Sequence, residues 1–180
     1  MKMKQYLFVL LCFTFLGCFS KGEINMFSKK KIEKIIKNKS GQDAIIEIDI
    51  ILSDIFYKNP EKLSIHEKNI VYIEEFEREV NNGGFSQYFS NSSGNNALET
   101  LNALNLINSK IFKKILENAI DKFPNRIVPK DRDEREELLM DIENNNADLW
   151  DELDNEFYEY EEDIYILLIE YIKNNIKDFR

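Results

Sequence analysis

Apolar residues recur at intervals of three and four along most of this 180-residue chain, the spacing of helices that bury one face. Trp150, Leu153, Phe157, Tyr160, Ile164, Leu167 and Tyr171 form the longest such seam. The pattern predicts helices over about 28–38, 42–57, 60–80, 85–90, 96–107, 109–123 and 131–143, then one long helix over 147–177. The Ile-rich run 44–57 could alternate as a strand, but its length and apolar positions fit a helix at least as well. Start and stop signals agree with several of these bounds. Asn59-Pro60 places a cap before a first-turn proline, Asn96 with Glu99 resembles a capping box, and Phe123-Pro124 closes a helix. The expected fold is all-α: a single compact multi-helix domain with a long acidic amphipathic helix at its C-terminus.

Composition supports a helical body, since the whole chain holds only 6 Gly and 3 Pro. Charge divides it further. Residues 1–40 carry 9 Lys against 2 Glu, whereas the rest carries 15 basic against 31 acidic residues. The N-terminus reads as a separate unit. Lys2 and Lys4 precede an apolar run from Tyr6 to Leu16, too short for the roughly twenty apolar residues of a membrane span. It ends at Gly17-Cys18 and resembles a bacterial lipobox, although Phe15 and Leu16 depart from the commonest residues there. The expected organisation is a lipoprotein signal over 1–17, then Cys18 lipidated at the head of a basic tether over 18–40, and a body over 41–180. An uncleaved apolar N-terminus with incidental Cys12 and Cys18 is the alternative. A basic tether beside an acidic body suits anchoring at an anionic membrane surface in the cell envelope.

Two glycines interrupt the pattern at its most aromatic point. Gly83 and Gly84 follow a helix and precede Phe85, Tyr88 and Phe89, which share one face, before a second break at 91–94. Glycine there suits a helix C-terminus in the left-handed conformation, so at least one of the pair is expected at positive φ. Gln87 and Asn91 are expected to serve backbone groups left open by the breaks. Alternatively, Glu79, Asn82, Gln87 and Asn91 form a polar pocket that grips a ligand. Glu79, Asn82, Gly83, Gly84, Phe85, Gln87, Tyr88, Phe89, Asn91 and Gly94 fall on a pattern, Glu-x-x-Asn-Gly-Gly-Phe-x-Gln-Tyr-Phe-x-Asn-x-x-Gly. It resembles the signature of an all-helical bacterial family named after a DNA mimic, DNA mimic protein nineteen. Leu153-Asp154-Asn155-Glu156-Phe157-Tyr158 resembles a second element of that family. The resemblance implies an all-α body that binds a DNA-binding regulator through acidic surface.

The acidic residues give that implication a candidate surface. Asp148, Glu152, Glu156, Glu159 and Asp163 would lie within about 80° on one long helix, opposite the apolar seam. No Lys or Arg falls between 148 and 163, while Asp151, Asp154, Glu161 and Glu162 widen the field. Such a row either solvates the helix or steers a basic partner by mimicking charge rows of nucleic acid. Enzyme readings find little purchase. His66 is the only histidine, expected at the surface or half buried, and no phosphate loop or nucleophile elbow appears. Glu75 and Glu79, four apart beside the glycines, are the residues a carboxylate-dependent hydrolase would use. The reading is therefore an exported, lipid-anchored, non-catalytic interaction protein. It uses no metal or cofactor, does not bind nucleic acid directly, and meets a basic protein partner. A cytosolic DNA-mimic regulator is the runner-up.

Overall fold

The computed structural model describes residues 21–180 apart from 147, with residues 21–28 as backbone only. Cys18 and the leader lie outside the described residues. The elements are helices throughout: α1 (Lys21–Asn38), α2 (Gly41–Lys58), α3 (Ile65–Ser90), α4 (Ala97–Leu106), α5 (Ile111–Ile120), α6 (Arg132–Asn145), α7 (Asp151–Tyr158) and α8 (Ile164–Asn175). Short 3₁₀ turns at Pro60–Lys62, Ser92–Asn96, Pro124–Arg126 and Ile176–Asp178 join or end them. No described helix is long and apolar enough to cross a membrane. Ile32 and Ile35 of the basic first helix are buried.

The third helix is the hub. It packs against α2, α4, α6, α7 and α8, and every residue from Asn69 to Phe76 is buried. A helix covered all round needs well-satisfied ends. At its start the Ser64 hydroxyl accepts from the Glu67 N–H at 3.3 Å, and the Glu67 carboxylate accepts from the Ser64 N–H at 2.7 Å. Helix α3 therefore begins at this capping box and not at Pro60, which opens only a 3₁₀ turn. The other Glu67 oxygen accepts from the N–H of Arg180 at 3.0 Å, which ties the chain end to the hub. Asn96 makes no side-chain cap bond, so the capping box expected there is not formed. Its Glu99 pairs with Lys130 instead.

The expected helix over 147–177 is divided in two. Helix α7 stops at Tyr158 and α8 restarts at Ile164, with Tyr160 between them at φ 46. Three anchors hold the break. The Tyr160 hydroxyl donates to Glu77, Glu162 accepts from the Ser109 hydroxyl and the Lys110 N–H, and the Asp163 carboxylate caps Ile166 N–H at 3.0 Å. Asp163 thus serves as a helix cap and leaves the row it was expected to join. Of the seven seam residues, Trp150 just before α7, Leu153 and Phe157 on it, and Ile164 and Tyr171 on α8 are buried, whereas Tyr160 and Leu167 are half buried.

Candidate functional site

The glycine pair is a kink inside α3 rather than an end to it. Gly83 is extended, at φ −167, while Gly84 takes φ 70 and ψ −172, a combination essentially reserved for glycine. A break of this kind strands a carbonyl before it and an N–H after it. Helix α7 supplies both partners. The Tyr158 hydroxyl donates to the Val80 carbonyl at 2.9 Å, and the Phe85 N–H donates to the Asp154 carboxylate at 2.8 Å. Burial raises the Asp154 pKa and the Phe85 N–H opposes the rise. A Cβ on Gly84 would stand 2.2 Å from Asp154 Oδ2. The two sequence elements singled out above therefore meet each other at the kink.

The polar residues of the first element act on each other. Glu79, before the kink, accepts on one oxygen from Gln87 at 2.8 Å and from Asn91 at 2.7 Å, both after it. Gln87 and Asn91 thus bond to a carboxylate and not to open backbone, because the kink folds both amides back towards it. Gln87 also fills the space a Cβ on Gly83 would need. Asn82 stands apart, exposed at the surface. Phe85, Tyr88 and Phe89 are wholly buried. The Phe85 ring stacks on Trp150, with centroids 6.0 Å apart, and also meets Phe157 edge-on.

One residue essential to this corner was not foreseen. Arg135 of α6 is fully buried and forms no ion pair among the described residues. Its guanidinium donates to the carbonyls of Phe89, Asn91 and Pro129, so it satisfies the chain where α3 ends. Gly94 has no side chain because one would lie 2.7 Å from the Phe89 carbonyl and 2.8 Å from Arg135 Nε. A charged residue inside an amphipathic helix carries no sequence signal for such a role. Glu75, the other carboxylate considered for acid–base work, accepts from the Tyr57 hydroxyl. Burial raises its pKa, and that hydrogen bond opposes the rise.

The acidic row lies at the surface. Asp148, Glu152, Glu156, Glu159 and Asp163 are exposed, as are Asp151 and Glu161, and none of them is in an ion pair among the described residues. The fold nevertheless tempers one end of the row. Lys110, just before α5, and Lys114 on it line a cleft of about 420 Å³ together with Glu156, Glu159 and Glu161. Asp148, Asp151 and Glu152 stay outside it, near exposed Asp133, Glu134, Glu137 and Asp141 in the sequence. A second cleft, of about 560 Å³, opens beside the kink and is lined by Gln42, Glu77, Arg78, Asn81, Asn82, Tyr160 and Tyr165. His66 is half buried, with Nδ1 2.7 Å from the Tyr171 hydroxyl.

Fold and site together define a class: an all-α domain whose central helix breaks at a glycine pair and is stapled there by Glu79 and Asp154. The chain belongs to the DMP19-like protein family, whose model matches residues 61–175. Both motif elements and all of α3 to α7 fall within that span. No curated protein and no solved structure matches the chain.

Proposed function

We propose that this DMP19-like protein is a non-catalytic interaction domain that binds a basic protein partner through the exposed carboxylates of α7 and its flanks. The observation that carries this reading is the unpaired acidic row. Asp148, Asp151, Glu152, Glu156 and Glu159 face solvent and have no ion pair among the described residues. Like charges at helical spacing cost a few tenths of a kcal/mol per close pair, while Asp151 and Glu152 recover part of that at the helix N-terminus. Their neighbour Asp154 is used structurally, whereas the row itself holds nothing in the fold. Such a field raises encounter rates with a cationic surface. The test is a pull-down followed by salt titration of the Glu152→Gln, Glu156→Gln, Glu159→Gln variant. Partner affinity should fall steeply with ionic strength and be lost in the variant. An affinity indifferent to both overturns the reading.

The lipobox-like leader places this domain in the cell envelope under the same proposal, anchored through Cys18. Membership of a DNA-mimic-type family favours a second reading, a cytosolic protein that occupies the basic surface of a DNA-binding regulator. Fractionation separates them: Cys18→Ser should move an anchored protein from the membrane to the soluble fraction, and a protein already soluble supports the second.

A further inference from the structure

We infer that the cleft beside Glu77 is the receptor for a single lysine or arginine side chain of the basic partner, an anchor point separate from the α7 row. This inference rests on the partner-binding reading above and adds a defined site to it. Glu77 forms the floor, held from three sides on one oxygen. Asn81 donates to it at 2.8 Å and Tyr165 at 2.8 Å, and the Tyr160 hydroxyl donates as well. These three donors fix the carboxylate without neutralising it, and its second oxygen has no hydrogen-bond partner among the described residues. Gln42 secures Tyr165 in turn, donating to its hydroxyl at 2.9 Å. The volume, about 560 Å³, admits one long side chain, and aromatic walls suit a cationic head.

Charge around the cleft favours a cation. Arg78 lines it, but that guanidinium is paired to Asp49 at 3.2 Å. With Arg78 already paired, Glu77 is the unmatched charge of the lining. Glu74, outside the lining, is a second unsatisfied carboxyl close to Glu77. It lies one helical turn from Glu77 on the same face of α3, is only 5% exposed, and its Oε1 has no hydrogen-bond partner. The groups acting on it are Asp49 from α2, Glu77 and Arg78 from its own helix, and Tyr165 from α8. Burial and the neighbouring carboxylates push its carboxyl up to about 8. A cation held at Glu77, one turn away, favours the ionised form of Glu74, so binding expels a proton and strengthens as pH rises through that value.

The test uses the full chain and three blocked amino-acid probes: N-acetyl-lysine methylamide, its arginine counterpart and its uncharged glutamine counterpart. Amide chemical shifts of residues 77–82 should move with the two cations and stay still with glutamine. Glu77→Gln should weaken cation binding at least tenfold, and Tyr165→Phe, which leaves the carboxylate in place with one fewer donor, should weaken it less. Calorimetry in buffers of different ionisation enthalpy should report proton release near pH 7, absent in Glu74→Gln. The α7 triple Gln variant should bind the probes as the wild type does, which separates failure of this cleft from failure of the acidic row. Equal shifts with the glutamine probe, or binding untouched by Glu77→Gln, overturn the proposal. A free polyamine such as spermidine that outcompetes a lysine-containing peptide by tenfold or more at the cleft overturns the assignment to a partner's side chain.

Discussion

The carboxylate of Asp154 stands where the side chain of residue 84 would be. Its Oδ2 lies 2.2 Å from the position of a Cβ on Gly84, while its Oδ1 accepts the N–H of the next residue, Phe85, at 2.8 Å. The missing side chain and the cap are one device: the backbone turns through a glycine-only conformation, and the space so opened admits the group that satisfies the restarted helix.

Gly84→Ala should therefore be costly for two reasons. A non-glycine residue in this backbone region costs about 1–3 kcal/mol, and Asp154 must also withdraw from Phe85. Gly83→Ala meets only the flexible Gln87 side chain at an extended φ, so it should cost less. Urea unfolding of the two variants checks the order, and equal midpoints would sink the account.

Asp154→Ala removes the cap without disturbing Gly84. The loss expected of an N-terminal cap is about 0.5–2 kcal/mol. Hydrogen exchange at Phe85 should accelerate in this variant more than at Phe76, one helix segment earlier. Uniform acceleration would mean that the bond has no local role.

Arg135→Met should destabilise by several kcal/mol, since each buried carbonyl left without a donor costs about 1–3 kcal/mol. Arg135→Lys should recover little, because one ammonium does not reach the carbonyls of Phe89, Asn91 and Pro129 together. Thermal melts of both variants test this; full rescue by lysine would show that only charge matters there.

Glu74 makes stability depend on pH. Its folded-state pKa is raised to about 8 from 4.5, so between those values the folded protein keeps a proton that the unfolded chain has released. Stability should fall as pH rises through that window, by at most about 1.4 kcal/mol per pH unit, and level off above it. Glu74→Gln should flatten the slope, and urea midpoints at pH 5 and pH 8 should diverge from wild type most at the higher value. A parallel pair of curves counts against a buried, proton-bearing Glu74.

Phe157→Ala supplies the control for binding studies of α7. Phe157 is wholly buried and packs edge-on against Phe76, Phe85 and Phe112. Its loss should cost about 3–5 kcal/mol, seen as a lowered melting temperature whatever happens to partner binding. The α7 glutamine variant should leave the melting temperature nearly unchanged.

Periodicity and punctuation, which act over a few residues, carried much of this protein in its sequence. The three- and four-residue spacing marked the helices, the aromatic trio at 85–89 marked a buried face, and Gly83-Gly84 marked a positive-φ break. The start of α3 was misjudged at Pro60 and the capping box at Asn96, since the box that forms, Ser64 with Glu67, has the same three-residue spacing and only packing selects between them. What the sequence could not determine depends on groups far apart in the chain. Unbroken apolar spacing from Trp150 to Tyr171 suits one helix as well as two, and the break is decided by Glu77, Ser109 and Lys110, which pull Tyr160 and Glu162 out of line. An acidic run likewise looks uniform in sequence. Only packing separates Asp154, which is drawn into the kink, and Asp163, which caps α8, from the carboxylates left facing solvent. Local spacing sets which residues can share a helix face; burial and the search of stranded backbone groups for partners set what each of those residues does.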